Sequence, residues 1–402
     1  MHIVSIIAEY NPFHFGHLYQ IEEIRKHFGA ETAIVAIMSG NYVQRGECAS
    51  FDKFLRAEAA VRCGVNLVLE LPFPFSMSGA GYFADKAVAL IDQLQIADIL
   101  AFGAEEDSLN TLSSISDAIE SDTFENKIKA SLQDRSNERL GYAKIRENVL
   151  SPIADKETLR APNNLLAIEY LAALKRRHSN IKPFAVKRNH PHDSSLQNAN
   201  LASASLIRKH LEIGEFEKAF SLIPNNAAEV FKKSNYKSYD FSQNKAGDVI
   251  LSTLRLHPPK QSIFEMTEEL RHRLSNASLK ATNYNDLIEQ TRTARYTTAR
   301  VRRAVLHATL GTTSAQISCD PCYSQLLACD KVGMRLLKQI KLNANFPILT
   351  KPADMQKLPG NAKLQANFCA KADALYGIFR STGQRGDTFL KATPFCAHKN
   401  DE

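Results

Sequence analysis

The stretch Ile3-Val4-Ser5-Ile6-Ile7-Ala8-Glu9-Tyr10-Asn11-Pro12-Phe13-His14-Phe15-Gly16-His17 decides how this 402-residue chain is read. It opens on a short apolar run that predicts a strand buried on both faces. A polar turn follows, and from His17 to His27 the spacing predicts a helix. Further apolar runs at 32–38, 67–71 and 97–102 alternate with helical patterns at 52–63, at 80–94 and from Ser108 onward. A helix is predicted over 164–177 and a fifth strand over 182–187. Short strands alternating with longer helices indicate an α/β fold, a Rossmann-like doubly wound parallel sheet. Ligands bind such sheets at the carboxyl ends of the strands. The polar clusters fall there: Glu9–His17, Ser39–Glu47, Gly103–Asp107 and Arg188–Asp193.

Past about residue 215 the pattern changes to helices joined by polar turns, at 215–220, 227–233, 246–256, 266–275, 284–290 and 298–310, with one late strand at 344–349. Two domains are therefore expected, 1–222 and a mostly helical, basic 223–402. The net charge of +7 hides −8 over residues 1–150 and +15 over 151–402. A basic part of that size suggests an anionic partner, RNA or DNA ahead of a membrane surface. The plainer alternative is a solvated, lysine-rich exterior. A 44% hydrophobic content excludes disorder as the main state. No apolar run is long enough to span a bilayer, so no membrane partner is expected. Seven cysteines, an odd number in a chain that needs no staples, fit a cytoplasmic protein, and the first residues read as a strand rather than a secretory leader. Cys319 and Cys322 form a CxxC without a second pair at zinc spacing, so no protein-held metal is expected.

His14 and His17 flank Gly16 in an HxGH pattern between the first strand and the first helix. A helix N-terminus offers unpaired N–H groups and a positive dipole end, both suited to phosphate. Two imidazoles there can stabilise charge as it moves to a departing pyrophosphate, and Gly16 lets a nucleotide approach the backbone. Taken alone, the pattern also describes two histidines packed at a helix start. After the fifth strand, Ser203-Ala204-Ser205-Leu206-Ile207-Arg208-Lys209 opens a helix with two hydroxyls and two cations, a second phosphate clamp. On its own that segment is an ordinary cap with a solvated arginine. Together the two pieces resemble enzymes that split ATP between the α and β phosphates, the class I tRNA synthetases and small-molecule nucleotidylyltransferases.

The resemblance narrows with longer motifs. Glu9–His17, Met38–Glu47, Leu69-Glu70-Leu71-Pro72, Phe102-Gly103-Ala104-Glu105, Ala161-Pro162-Asn163-Asn164, Val186-Lys187-Arg188 with His192-Asp193, Ala202–Lys209 and the basic segment Arg295–Arg303 are together similar to the tRNA-Met cytidine acetate ligase family. That resemblance implies a nucleotidylyltransferase-like ATP-binding catalytic domain over 1–222 and a tRNA-binding role for 223–402. It implies activation of acetate as acetyl-adenylate and acetylation of N4 of the wobble cytidine of elongator tRNA-Met. ATP is the implied cofactor, with Mg²⁺ accompanying it, and tRNA and acetate are the implied partners.

By position, the resemblance implies catalytic roles for His14, His17, Ser203, Ser205 and Arg208. The stretch Ile7, Ala8, Glu9, Tyr10, Asn11, Pro12, Phe13, His14, Phe15, Gly16, His17, Leu18, Tyr19 and Gln20 should line the ATP site. Gly103, Asn163 and Arg188 should meet the nucleotide, with Asn164 and Lys187 close by. Two departures stand out: Phe15 replaces a small polar residue, and Asn189-His190-Pro191 replaces a glycine-containing turn before His192-Asp193. Asn41, Gln44 and Arg45 are candidates for acetate or the target base, since arginine matches a carboxylate bidentately; the alternative is that they stabilise their loop. Candidate tRNA phosphate contacts are Lys175, Arg176, Arg177, Arg295, Arg300, Arg302 and Arg303, and in a continuous helix Arg295, Arg302 and Arg303 would share one side. Two other readings remain at this level: a nucleotidylyltransferase acting on a small phosphorylated metabolite, and a non-catalytic RNA-binding protein with a relict nucleotide pocket. The residues assign no oligomeric state.

Overall fold

A computed structural model describes residues 1–106, 108–137, 140–188, 202–380 and 385–397. Its strands are β1 (Ile3–Ala8), β2 (Ala33–Ser39), β3 (Tyr42–Val43), β4 (Glu47–Cys48), β5 (Leu67–Leu71), β6 (Ile99–Ala104), β7 (Lys182–Lys187), β8 (Ser324–Cys329), β9 (Ile348–Leu349) and β10 (Phe395–Cys396). The main sheet runs β10-β8-β5-β2-β1-β6-β7, with β9 beside β8. From β5 to β7 all neighbours are parallel, as the alternating pattern predicts.

Both faces of this parallel part are covered, which is why its strands read as nearly unbroken apolar runs. Successive side chains point to opposite faces. Val35 and Ile37 join Leu67, Leu69, Leu100 and the helices Ala80–Leu94 and Pro162–Arg176 in one core. Ile34, Ala36 and Met38 join Val4, Ile6 and the helices Phe15–Phe28 and Lys53–Arg62 in another. A third core lies among the helices between Asn244 and Arg380 and takes in Tyr42 and Phe73.

Two features go beyond the expected pattern. β8 pairs antiparallel with β5, so the sheet is mixed rather than purely parallel. β8 and β10 come from the second half, and Lys331–Asn343 packs Leu336 and Ile340 into the first core. The expected division at 222/223 is therefore crossed by a return of the chain to the sheet. Ser324–Cys329 opens on Ser and Gln, which leaves only a short apolar run, so the pattern did not single it out.

The parallel strands place the site. From β1 the chain steps outward through β2 to β5, then returns to the other side of β1 for β6 and β7. The crevice at this reversal lies between the carboxyl ends of β1 and β6. Glu9–His14 leave β1 there, and Glu105 leaves β6 there.

Candidate active site

His14 is the N-cap of the helix Phe15–Phe28, extended at φ −143° and ψ 174°. Its Nδ1 accepts from the Gly16 N–H at 3.0 Å, and the Nδ1 of His17 accepts from the His14 N–H at 3.2 Å. The two imidazoles thus cap the helix reciprocally, in the manner of a capping box. Their rings stack with centroids 3.8 Å apart. Because both Nδ1 atoms accept, each neutral ring carries its proton on Nε2, leaving an N–H donor for a ligand. Burial, with the cations Arg188 and Arg208 adding to it, lowers His14 to about 3. Burial, His14 and Arg188 likewise push His17 well below the usual histidine range. Both rings are therefore neutral donors at pH 7. A Cβ on Gly16 would lie 2.9 Å from His14 Cε1, so the glycine makes room for the folded-back imidazole rather than for a nucleotide directly.

Within Ile7–Gln20 the residues divide. Tyr10 and Phe13 are buried and pack on the His17 ring, with centroids 4.9 and 5.5 Å away, so they support the histidine rather than line a pocket. Asn11 is buried too: its Oδ1 accepts from Ser50 N at 2.8 Å and its carbonyl from Arg208 at 2.9 Å. Ile7, Ala8, Glu9, Phe15, Gly16, His17, Leu18, Tyr19 and Gln20 keep partial exposure.

Arg208 extends from the helix Ala204–Glu212 to the histidine turn, with Ser205 Oγ at 3.4 Å and Glu47 at 3.7 Å. Ser203 is that helix's N-cap and accepts from Leu206 N. On the other side, Arg188 at the end of β7 donates to Asn163 Oδ1 at 3.2 Å, and its Nη2 lies 4.0 Å from where a Gly16 Cβ would stand. Gly103 faces the Arg188 side chain. Asn164 is buried behind Asn163, where its Oδ1 accepts from Glu105 N and Glu106 N, both at 2.9 Å, fixing the turn after β6. Exposed Lys187 precedes Arg188. His14, His17, Asn163, Arg188 and Arg208 thus surround the start of the first helix, and Ser203 and Ser205 stand at the start of the next. Asn189, His190, Pro191, His192, Asp193 and Asp107 lie outside the described residues.

Other candidates are corrected. Asn41 is buried with both amide atoms engaged: it donates to Asp373 and accepts from Lys53 N, each at 2.8 Å. It ties its loop to Lys53 and Asp373. Gln44 is tied through its N–H to Glu9 at 2.8 Å and through its side chain to Ser78 O at 3.2 Å, which leaves Arg45 as the exposed member of the three. Burial raises the Glu9 carboxyl. Lys175, Arg176 and Arg177 end a helix that begins beside Glu105, so they lie at the opposite pole of the sheet. They pair there with Asp117, with Glu120 and Asp85, and with Asp85 and Asp320. Arg295 precedes the helix Thr298–Leu310 and pairs with Glu269, so the expected common face with Arg302 and Arg303 does not form. Arg303 is buried against Glu265 at 2.9 Å, and Arg302 pairs with Glu47. Arg300 packs over the Tyr296 ring.

The residue types alone did not reveal the scaffold beneath the site. Arg56, wholly buried, donates to the carbonyls of Glu9, Ser39, Gly40 and Phe51, joining the ends of β1 and β2. Lys53 lies between Glu70 at 2.7 Å and Asp373 at 2.8 Å. Burial works against its charge, but the two carboxylates outweigh that and raise it. Glu70, Cys369 and Asp373 form a metal-ligand-like cluster among the described residues, but the Lys53 ammonium already occupies it. The only sequence signal was the Glu70 carboxylate inside an apolar strand. No helix among the described residues is long and apolar enough to cross a membrane.

Comparison with known proteins finds relatives over nearly the whole chain. A family model described as HIGH Nucleotidyl Transferase matches residues 1–388. The tRNA(Met) cytidine acetate ligase of Caldanaerobacter subterraneus subsp. tengcongensis is 38% identical over 366 residues, covering 88% of this chain and 89% of that protein. The enzyme of the same name from Thermoanaerobacter sp. (strain X514) is 35% identical over 373 residues, covering 90% and 92%. The crystal structure of Thermotoga maritima TmcAL bound with alpha-thio ATP superposes with a TM-score of 0.88 at 26% identity, covering 98% of this chain and 99% of that one.

Proposed function

The chain belongs to the HIGH nucleotidyl transferase family, and from that premise we propose that it is an ATP-dependent tRNA(Met) cytidine acetate ligase. The observation that carries the site reading is the reciprocal use of both Nδ1 atoms, which leaves the proton of each neutral ring on Nε2 at a helix N-terminus. In this reading ATP lies across that N-terminus, with Arg188, Asn163 and Gly103 on its nucleoside side and Ser203, Ser205 and Arg208 toward the β and γ phosphates. An acetate oxygen attacks the α-phosphorus, and the bond between the α-phosphorus and the bridging oxygen breaks. His14, His17 and Arg208 stabilise the charge that moves to pyrophosphate. The cytosine N4 then attacks the acetyl carbonyl, AMP leaves, and the amine proton passes to water or a nearby base. Arg45 is the remaining candidate for the acetate carboxylate. The helical part of 223–402, with Arg295, Arg300 and Arg302, faces the tRNA.

Mg²⁺ would be held by the triphosphate. The nearby carboxylates do not make a protein metal site, because Glu47 is paired with Arg302 and Arg208 and Glu9 is tied to Gln44. No step is routed through the ion. The test is exchange of labelled pyrophosphate into ATP. Exchange that requires acetate is the expected result. Exchange that ignores acetate and needs a phosphorylated metabolite would replace this reading with the metabolite nucleotidylyltransferase.

A further inference from the structure

Glu9 is the first residue past β1, at the crevice beside the histidine turn. Its carbonyl accepts from Arg56, and its Oε1 accepts from the Gln44 N–H at 2.8 Å, so backbone and carboxyl are both fixed. Oε2 has no partner among the described residues, and the residue keeps partial exposure. The groups that act on the carboxyl come from every element around it: Arg45 and Glu47 from the β3–β4 hairpin, Arg208 from the helix Ala204–Glu212, Tyr170 from Pro162–Arg176 and Arg56 from Lys53–Arg62. Burial, with Glu47 adding to it, lifts the carboxyl above its usual range, while the Gln44 N–H, Arg208 and Arg45 hold it down. In the reading above Arg208 meets the phosphates and Arg45 the acetate carboxylate. A carboxyl within the field of both lies close to the acyl phosphate they would hold.

Its neighbours are less fit to take a proton. His14 and His17 spend Nδ1 on the helix cap and carry their protons on Nε2. Glu47 is neutralised by Arg302 and Arg208, and Glu105 accepts from Asn163 Nδ2 and Asn164 N with its two oxygens. Resting on the ligase reading above, we propose that Glu9 is the base of the transfer step, its free carboxylate oxygen taking the N4 proton of cytosine. The N4 lone pair forms the bond to the acetyl carbon, and the carbonyl electrons move onto oxygen. As the carbonyl re-forms, the bond from the acetyl carbon to the phosphate oxygen breaks and AMP leaves with that electron pair. The proton ends on Glu9, from which water removes it.

In full-length Glu9→Gln the amide oxygen still accepts from the Gln44 N–H, so the loop stays anchored while the base is gone. Two reactions separate the steps: acetate-dependent pyrophosphate exchange without tRNA, which stops at the adenylate, and single-turnover formation of N4-acetylcytidine on tRNA(Met). The ratio of transfer to exchange should fall about 10²–10⁴-fold in Glu9→Gln. Glu9→Asp, which keeps a carboxylate at shorter reach, should recover part of that loss. Wild-type transfer should fall on the acid side through a carboxyl limb above the usual glutamate range, a limb that exchange lacks and that Glu9→Gln removes. A ratio in Glu9→Gln equal to that of the wild type would overturn the inference. So would a wild-type transfer profile without that limb, a result that requires no variant to fold. Absence of acetate-dependent exchange in the wild-type protein would instead overturn the ligase reading, and the base assignment with it.

Discussion

His17 does two jobs with two nitrogens, and substitution can separate them. Its Nδ1 accepts from the His14 N–H at 3.2 Å and so helps cap the first helix. Losing a cap costs about 1 kcal/mol. Its Nε2–H is the donor assigned to the moving charge, and loss of one such donor costs about 2.7–4 kcal/mol, or 10²–10³ in rate. Asparagine places an acceptor near the Nδ1 position but nothing at Nε2. Glutamine reaches the Nε2 position with an amide but loses the short acceptor. His17→Asn should therefore unfold in denaturant within about 1 kcal/mol of wild type while acetate-dependent pyrophosphate exchange falls about 10²–10³-fold. His17→Gln should invert the balance, losing about 1 kcal/mol of stability and keeping more of the exchange. Near-wild-type exchange in His17→Asn would refute the assignment of Nε2 as a donor to the reacting phosphates.

The remaining predictions use the same assays. Since burial lowers His14 to about 3, the exchange rate should show no histidine limb between pH 5.5 and 8; a limb near 6.5 would contradict the neutral pair. The unfolded chain takes up protons at these histidines below about pH 6.5 while the folded protein does not, so urea stability should fall as pH drops from there toward 4. Gly16→Ala places a methyl 2.9 Å from the His14 ring and should abolish most exchange in a protein whose circular dichroism is unchanged. Lys53→Met strands the Glu70 and Asp373 carboxylates and should cost about 3–5 kcal/mol at pH 7. Burial already raises Glu70, so protonation should relieve that variant and the deficit should shrink as pH falls toward 5. Lys175→Ala should change tRNA affinity by less than about twofold, because its partner is Asp117 at the far pole of the sheet.

Legibility followed periodicity and local chemistry. The five parallel strands stood out because strands buried on both faces are apolar runs, and four match their expected spans to within one residue at either end; β6 starts two residues later than expected. The histidine pair and the Ser203 cap were legible because helix capping depends on residues close in sequence. What stayed hidden depends on distant partners. Asn41 reads as a loop polar residue until Asp373, 332 positions away, takes its amide. Arg303 reads as a phosphate contact until Glu265 claims it, and Lys175–Arg177 read as a basic patch until Asp117, Glu120, Asp85 and Asp320 supply carboxylates. β8 joins the sheet only because β5 offers it an edge. The charge asymmetry overcounted the unpaired cations, since several are spent on ion pairs.

The central claim is that this chain uses ATP to join acetate to a cytidine of tRNA(Met). Its most direct test is nucleoside mass spectrometry of tRNA(Met) after incubation with the protein, ATP and isotopically labelled acetate. Labelled N4-acetylcytidine that depends on ATP and disappears in His17→Asn is the expected result. Unmodified cytidine in the wild-type reaction would contradict it.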